Sequence, residues 1–199
     1  MTTTRSSMLD LTPAARRVTA VVRHITDEQL GDPTPSDCDV ATVLDHLMGL
    51  TRAFVGTAHK TVTENAAPQA SGANLDPGWR TILPARLAEL AEAWRDPAAW
   101  QGLADAGGVR MPAEMMGVVA LDELVLHGWD LARATRRPYA VDAVSIAACL
   151  RFVEAMAQPG QGRDGLFGPP VAVPDDAPPF HRLLGLAGRD PAWAARTEE

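Results

Sequence analysis

Met111-Pro-Ala-Glu-Met-Met-Gly-Val-Val-Ala-Leu-Asp-Glu-Leu-Val-Leu-His-Gly-Trp-Asp-Leu-Ala-Arg-Ala-Thr135 is the stretch that decides the fold. Met111-Pro112 suits the opening of a helix, because proline lacks only an N–H that the first turn leaves unused. Met116, Val119, Ala120, Leu124, Leu131 and Ala134 then recur at three- and four-residue spacing and read as a core stripe. Arg136-Arg-Pro-Tyr139 ends the pattern.

Working outward, residues 9–30 carry Leu11, Ala14, Val18, Val21, Val22 and Ile25 at helical spacing, with Thr12-Pro13 as cap and first turn. Gly31-Asp-Pro-Thr-Pro-Ser36 breaks the chain. A second helix is predicted from Asp39 to about Thr63 through Val40, Val43, Leu44, Leu47, Leu50, Phe54 and Val55. Residues 64–75, rich in Ala, Asn, Pro and Gly, read as a loop. A third helix starts near Asp76-Pro77, or restarts at Pro84, and reaches Trp94. Residues 96–109, with Gly102 and Gly107-Gly108, read as a connector. Downstream of the fourth helix, Asp142 caps a fifth that runs to Ala157.

Prolines concentrate in residues 159–179, yet Leu166, Phe167, Val171, Val173, Phe180, Leu183, Leu184 and Trp193 make this segment too apolar for free coil. It is expected to wrap onto the helices as an arm with a short helix over residues 180–186. No internal repeat and no alternating strand pattern long enough for a sheet is evident. The expected architecture is a single all-α domain over residues 1–199. Residues 9–158 form an up-and-down four-helix bundle with an additional helix, and residues 159–199 form a C-terminal arm.

Composition narrows the function. The chain has 199 residues, 46% of them hydrophobic, and a formal net charge of −7, which disfavours nucleic acid and anionic lipid as partners. The polar start, Met1-Thr-Thr-Thr-Arg-Ser-Ser7, lacks the apolar stretch of a signal peptide, and no apolar run approaches a membrane span. Two cysteines, Cys38 and Cys149, are too few for a disulfide framework, so a cytoplasmic location is expected.

Nucleophile elbows, phosphate loops and Cys-x-x-Cys or His-Glu-x-x-His patterns are missing. What remains is the fourth helix. At about 100° per residue, Glu123 and His127 lie roughly 40° apart and one turn along, on the face of the core stripe. A carboxylate aimed at a bundle interior is costly unless a partner or a metal satisfies it. Glu-x-x-x-His alone also suits a simple ion pair at the core edge, or a histidine satisfied by a backbone carbonyl. On the second helix His46 shares its face with Val43, Gly49, Leu50 and Ala53, whereas His59 is turned roughly 140° away and should be solvated. His46, Glu123 and His127 then make a two-histidine, one-carboxylate set of a kind that bundles use to hold metal. Zinc is the natural ion, with a fourth position open, and nickel or iron suit the same donors.

Asp130, three residues past His127, reads either as its hydrogen-bond partner or as a plain surface acid. Cys38 stands about 12 Å along the helix from His46 and is a poor co-ligand. Cys149 reads as core, and Trp94, Trp100, Trp129 and Trp193 as packing anchors. Arg133, Arg136 and Arg137 suit either an anionic substrate or the negative end of the helix dipole.

Leu44-Asp-His-Leu47, Asp122-Glu-Leu-Val-Leu-His-Gly-Trp-Asp-Leu131 and the closing Gly188-Arg-Asp-Pro-Ala-Trp193 resemble the DinB-like metal-binding proteins. More narrowly, the chain is similar over residues 9–193 to the group related to the N-terminal domain of mycothiol-dependent maleylpyruvate isomerase. The resemblance implies that His46, Glu123 and His127 bind a divalent metal, usually zinc, and that a low-molecular-weight thiol such as mycothiol is the cofactor. It thus implies a thiol-dependent transferase or isomerase acting on a small electrophile. Two other readings stay open. One is a metal-dependent hydrolase with Asp45 or Asp130 as base. The other is a non-catalytic bundle, as a homodimer for example, whose structural metal would draw a fourth ligand from His24 or a cysteine.

Overall fold

The computed structural model describes residues 8–61, 69–157 and 166–195. Expectations for residues 1–7, for part of the loop (62–68) and for parts of the arm (158–165 and 196–199) lie outside the described residues. In chain order the elements are α1 (Thr12–Val22), α2 (Val40–Ala58), α3 (Trp79–Ala93), β1 (Leu103–Ala106), β2 (Val109–Pro112), α4 (Ala113–Ala134), α5 (Ala143–Met156) and α6 (Pro179–Leu186).

The all-α bundle is present. α1 lies against α3 and α4, and α2 also lies against α3 and α4, so these two consecutive helices face each other across the bundle. α5 covers α4, and α6 packs on α5. Most of α4 is buried, including Met116, Ala120, Leu121, Leu124, Leu131 and Ala134, which makes it the central helix. Val18, Leu44, Leu47, Leu83, Leu87 and Leu121 have no exposed surface and form the shared core. Among the described residues no helix is long and apolar enough to cross a membrane.

Of the two caps read from sequence, Asp142 holds, whereas Thr12 is already the first residue of α1, with Leu11 at the cap position and no side-chain cap bond. Asp39 accepts from the Thr42 N–H and Asp142 from the Ser145 N–H, each satisfying an otherwise unpaired donor. Helix ends differ. The apolar pattern of α1 continues into Ile25, but the backbone tightens after Val22, with the amides of His24 and Ile25 bonded to Val21 and Val22. α2 stops at Ala58 rather than near Thr63, because Lys60 adopts φ 58° and the Thr61 amide bonds back to Gly56. That is a Schellman ending with lysine where glycine is usual, held by the Lys60 ammonium donating to the Ala99 carbonyl at 2.8 Å. α3 runs straight through Pro84, because buried Trp79, Leu83, Leu87 and Leu90 anchor both sides of the lost hydrogen bond.

The connector before α4 is a β-hairpin, which sequence periodicity did not anticipate. β1 and β2 pair antiparallel, Ala106 opposite Val109, around Gly107-Gly108, and both glycines take positive φ as a two-residue primed turn requires. Met111 and Pro112, read as the first residues of the fourth helix, are the end of β2.

Candidate metal centre

Rigid helical spacing places the site. His46 projects from the middle of α2, and Glu123 and His127 project one turn apart from α4, where the two helices meet. The Oε2 atom of Glu123 stands 3.6 Å from His46 Nε2 and 3.1 Å from His127 Nε2. The two imidazoles are nearly perpendicular, at 81°, with ring centres 4.8 Å apart. One donor atom from each of the three residues falls within 4.8 Å of the others. Zinc bonds of about 2.1 Å at tetrahedral angles separate donors by about 3.4 Å, so the spacing and the donor types fit such an ion. The set is graded in exposure. His127 is 14% exposed, Glu123 26% and His46 38%, so the cluster opens to solvent on the α2 side.

Electrostatics sharpen the picture. Burial would raise the Glu123 pKa, but hydrogen bonds from His127 and His46 hold its carboxyl well below the usual carboxylate range. Burial opposes charge on His127, yet Asp130 and Glu123, accepting from its ring, push its pKa up to about 9.

Behind the cluster, His127 Nδ1 lies 3.0 Å from Asp130 Oδ2. With Nδ1 donating to Asp130, Nε2 is the nitrogen turned toward Glu123 and His46, and it offers a lone pair once the ring is neutral. Asp130 is fully buried and therefore serves as the partner of His127, not as a surface acid. Its own second partner is Arg189, whose Nη2 donates to the same oxygen at 3.0 Å. Burial would raise the Asp130 pKa, but these contacts hold it below the usual value.

Arg189 belongs to the Gly188-Arg-Asp-Pro191 motif but is not among the site residues expected from sequence. The signal was an arginine directly after a glycine in an apolar segment. Gly188 ends α6 with φ 81° and the Arg189 amide bonds to Leu184, another Schellman ending that turns the guanidinium inward. A Cβ on Gly188 would come within 2.9 Å of the Gly168 backbone, so only glycine fits. Gly128 is a second close approach: a side chain there would collide with Tyr139, whose hydroxyl donates to the Leu124 carbonyl at 3.2 Å.

The other candidates lie elsewhere. His24, His59 and His181 are exposed, and among the described residues no fourth His, Cys, Asp or Glu joins the cluster. Cys38 contacts the hydroxyls of Thr34 and Ser36. Cys149 is buried beside Asp122, and burial pushes its thiol pKa up. Asp45 accepts from the Ser71 N–H at 3.0 Å. Trp94, Trp100 and Trp129 are buried, and Trp193 is partly so. Arg133 donates to the Trp193 carbonyl and, with Arg136, Arg137 and Pro138, lines a cleft on another part of the surface. Asp122 is the unexpected neighbour: it is 3% exposed, its Oδ1 has no hydrogen-bond partner, and burial with adjacent Glu123 pushes its pKa up to about 8.

Comparison with known proteins bears on this arrangement. No curated protein matches the chain. The crystal structure of the mycothiol-dependent maleylpyruvate isomerase is similar in fold, with a TM-score of 0.58 at 17% identity over 72% of this chain and 68% of that one. The model of the mycothiol maleylpyruvate isomerase N-terminal domain matches residues 11–132. That stretch spans α1 to nearly the end of α4 and includes His46, Glu123, His127 and Asp130, and on its strength the chain belongs to the mycothiol maleylpyruvate isomerase N-terminal domain family.

Proposed function

We propose that the chain is a divalent-metal-dependent enzyme that activates a low-molecular-weight thiol, mycothiol or a close relative. The activated thiol serves S-transfer to, or thiol-assisted isomerisation of, a small electrophile. The observation that carries this reading is the three-donor cluster, spaced for a cation and open on one side. Zinc is the ion the donors favour, with nickel or iron as substitutes. Such an ion would supply the charge that keeps a thiol deprotonated near neutral pH.

The chain's own residues do the rest. One carboxylate and two imidazoles carry a single negative charge, leaving a divalent ion a net positive charge to meet an anionic sulfur. Asp130 keeps the lone pair of His127 Nε2 turned toward the cluster. Buried Met116, Ala120 and Leu124 line the inner side of α4 and exclude water, and the exposed edge of His46 leaves room for the body of the thiol. Free Cys38 and Cys149 suit the reducing cytoplasm where such thiols are kept. A hydrolase would need a base beside the cluster, and Asp45 and Asp130 are both committed to other hydrogen bonds.

To test the proposal, zinc-loaded protein is incubated with mycothiol or glutathione and a small electrophile, and product is followed. Turnover should require both metal and thiol, and fall to background in His46→Ala and His127→Ala. Turnover that never exceeds these variants overturns the reading, and turnover without thiol favours the hydrolase.

A further inference from the structure

Arg189 is an expensive residue for its place. It is 8% exposed, and its guanidinium is used up by Asp130 and by the Ala187 carbonyl, to which Nη1 donates at 2.8 Å. Burying such a pair is seldom the most stable solution, since apolar residues of the same volume do as well or better. Its geometry shows what it can do beyond filling space. Asp130 Oδ2 receives Arg189 Nη2 and His127 Nδ1, each at 3.0 Å, so one oxygen joins the closing segment to a candidate ligand. Asp130 and Arg189 are 59 residues apart in sequence, and Arg189 lies beyond the matched stretch of residues 11–132. Its approach is set by the α6 ending and by the Gly168–Gly188 contact, so the guanidinium arrives only when residues 187–193 are docked.

We propose that Arg189 is a positioning residue for the metal centre. It holds Asp130, and through Asp130 the His127 ring, and so couples docking of residues 187–193 to metal binding. The inference rests on the metal site proposed above. Coupling of this kind is reciprocal: if the docked segment tightens the site, the bound ion must hold the segment down by the same free energy. A residue that merely packs the segment in place would leave the two independent.

The test uses the full chain with zinc alone as probe. Zinc affinity is measured by chelator competition, and hydrogen exchange of residues 183–195 is followed with and without zinc. In the parent, zinc should slow exchange across that segment. Arg189→Met should weaken zinc binding by about 10–100-fold, the usual effect of removing a group that orients a ligand, and abolish the zinc-dependent protection. Arg189→Lys, which keeps the charge and loses the planar fork, should fall between the two. Unchanged affinity in a folded Arg189→Met variant overturns the inference, and so does exchange in the parent that ignores zinc. If Arg189→Met does not fold, the parent's exchange and the Arg189→Lys affinity decide. A parent that binds no zinc removes the metal site itself, and the inference with it. A parent that binds zinc without protecting the segment sinks the inference alone.

Discussion

Asp122 and Asp130 lie about two turns apart on α4, both buried, and they end in opposite states. Asp130 shares its charge with His127 and Arg189 and has its pKa lowered. Asp122 has one oxygen without a partner, the Cys149 thiol as a weak neighbour and anionic Glu123 beside it, and its pKa rises to about 8. Burial is common to both, so partners decide which acid stays ionised. Only the partnered one can orient a ligand; the other is a neutral group near pH 7, tolerated beside the cluster.

Breaking the partnered side should cost most. Asp130→Ala strands Arg189 as a buried charge and is expected to destabilise the protein by about 3–5 kcal/mol in urea unfolding. The double variant Asp130→Leu with Arg189→Met should recover most of that loss, because no charge is then left unpaired. A double variant as unstable as the single one would mean that packing, rather than charge, dominates.

Asp122 should behave in the opposite sense. Its folded pKa stands above the ordinary aspartate value of 3.8, so its contribution to stability is fully present below about pH 4 and is lost as pH rises through about 8. In protein stripped of metal, Asp122→Asn should be within about 1 kcal/mol of the parent at pH 5 and more stable by about 1–3 kcal/mol at pH 9. Chemical denaturation at the two pH values checks this.

His127 sharpens the contrast through the metal. Its pKa is raised from 6.5 to about 9, so in stripped protein its stabilisation is present below pH 6.5 and lost as pH rises through about 9. A ligating imidazole must be neutral, so zinc uptake near neutral pH should release a proton, and apparent affinity should rise about tenfold per pH unit up to about 9. Calorimetry in buffers of different ionisation enthalpy reads the proton directly. The smallest effect belongs to the surface pair of Arg182 and Glu154, 2.8 Å apart and each 42% exposed. Arg182→Ala should change stability by less than about 0.5 kcal/mol in the same denaturation assay.

What could be read in advance followed from rigidity. A helix fixes the angle between residues, so His46, Glu123 and His127 could be brought together from spacing on two helices, and Asp130 came with them as one of two alternatives. Arg189 could not, because its position depends on a chain reversal after α6 and on two backbones in contact at Gly168 and Gly188. The end of α2 carries no punctuation in the sequence, because its left-handed position is held by Lys60 rather than glycine. The hairpin is faint in the sequence because Leu103-Ala-Asp-Ala106 carries little β propensity, and Gly107-Gly108 is its one turn signal. Tertiary contacts of the pair with α2 and α4 supply what propensity lacks.

The diagonal placement of α1 and α2 has a consequence for how the molecule comes into being. α1 leaves the ribosome before its principal neighbours α3 and α4, so Val18, Val21 and Val22 lack those partners when they emerge. At synthesis rates of about 5–20 residues per second, that wait lasts seconds, long enough for chaperone capture or for nascent chains to stick together. α2 and α3, which are consecutive and touch, can associate first and offer α1 a surface. α1 is therefore made before α2 and α3 yet buried after they meet, and its apolar face needs protection in the interval.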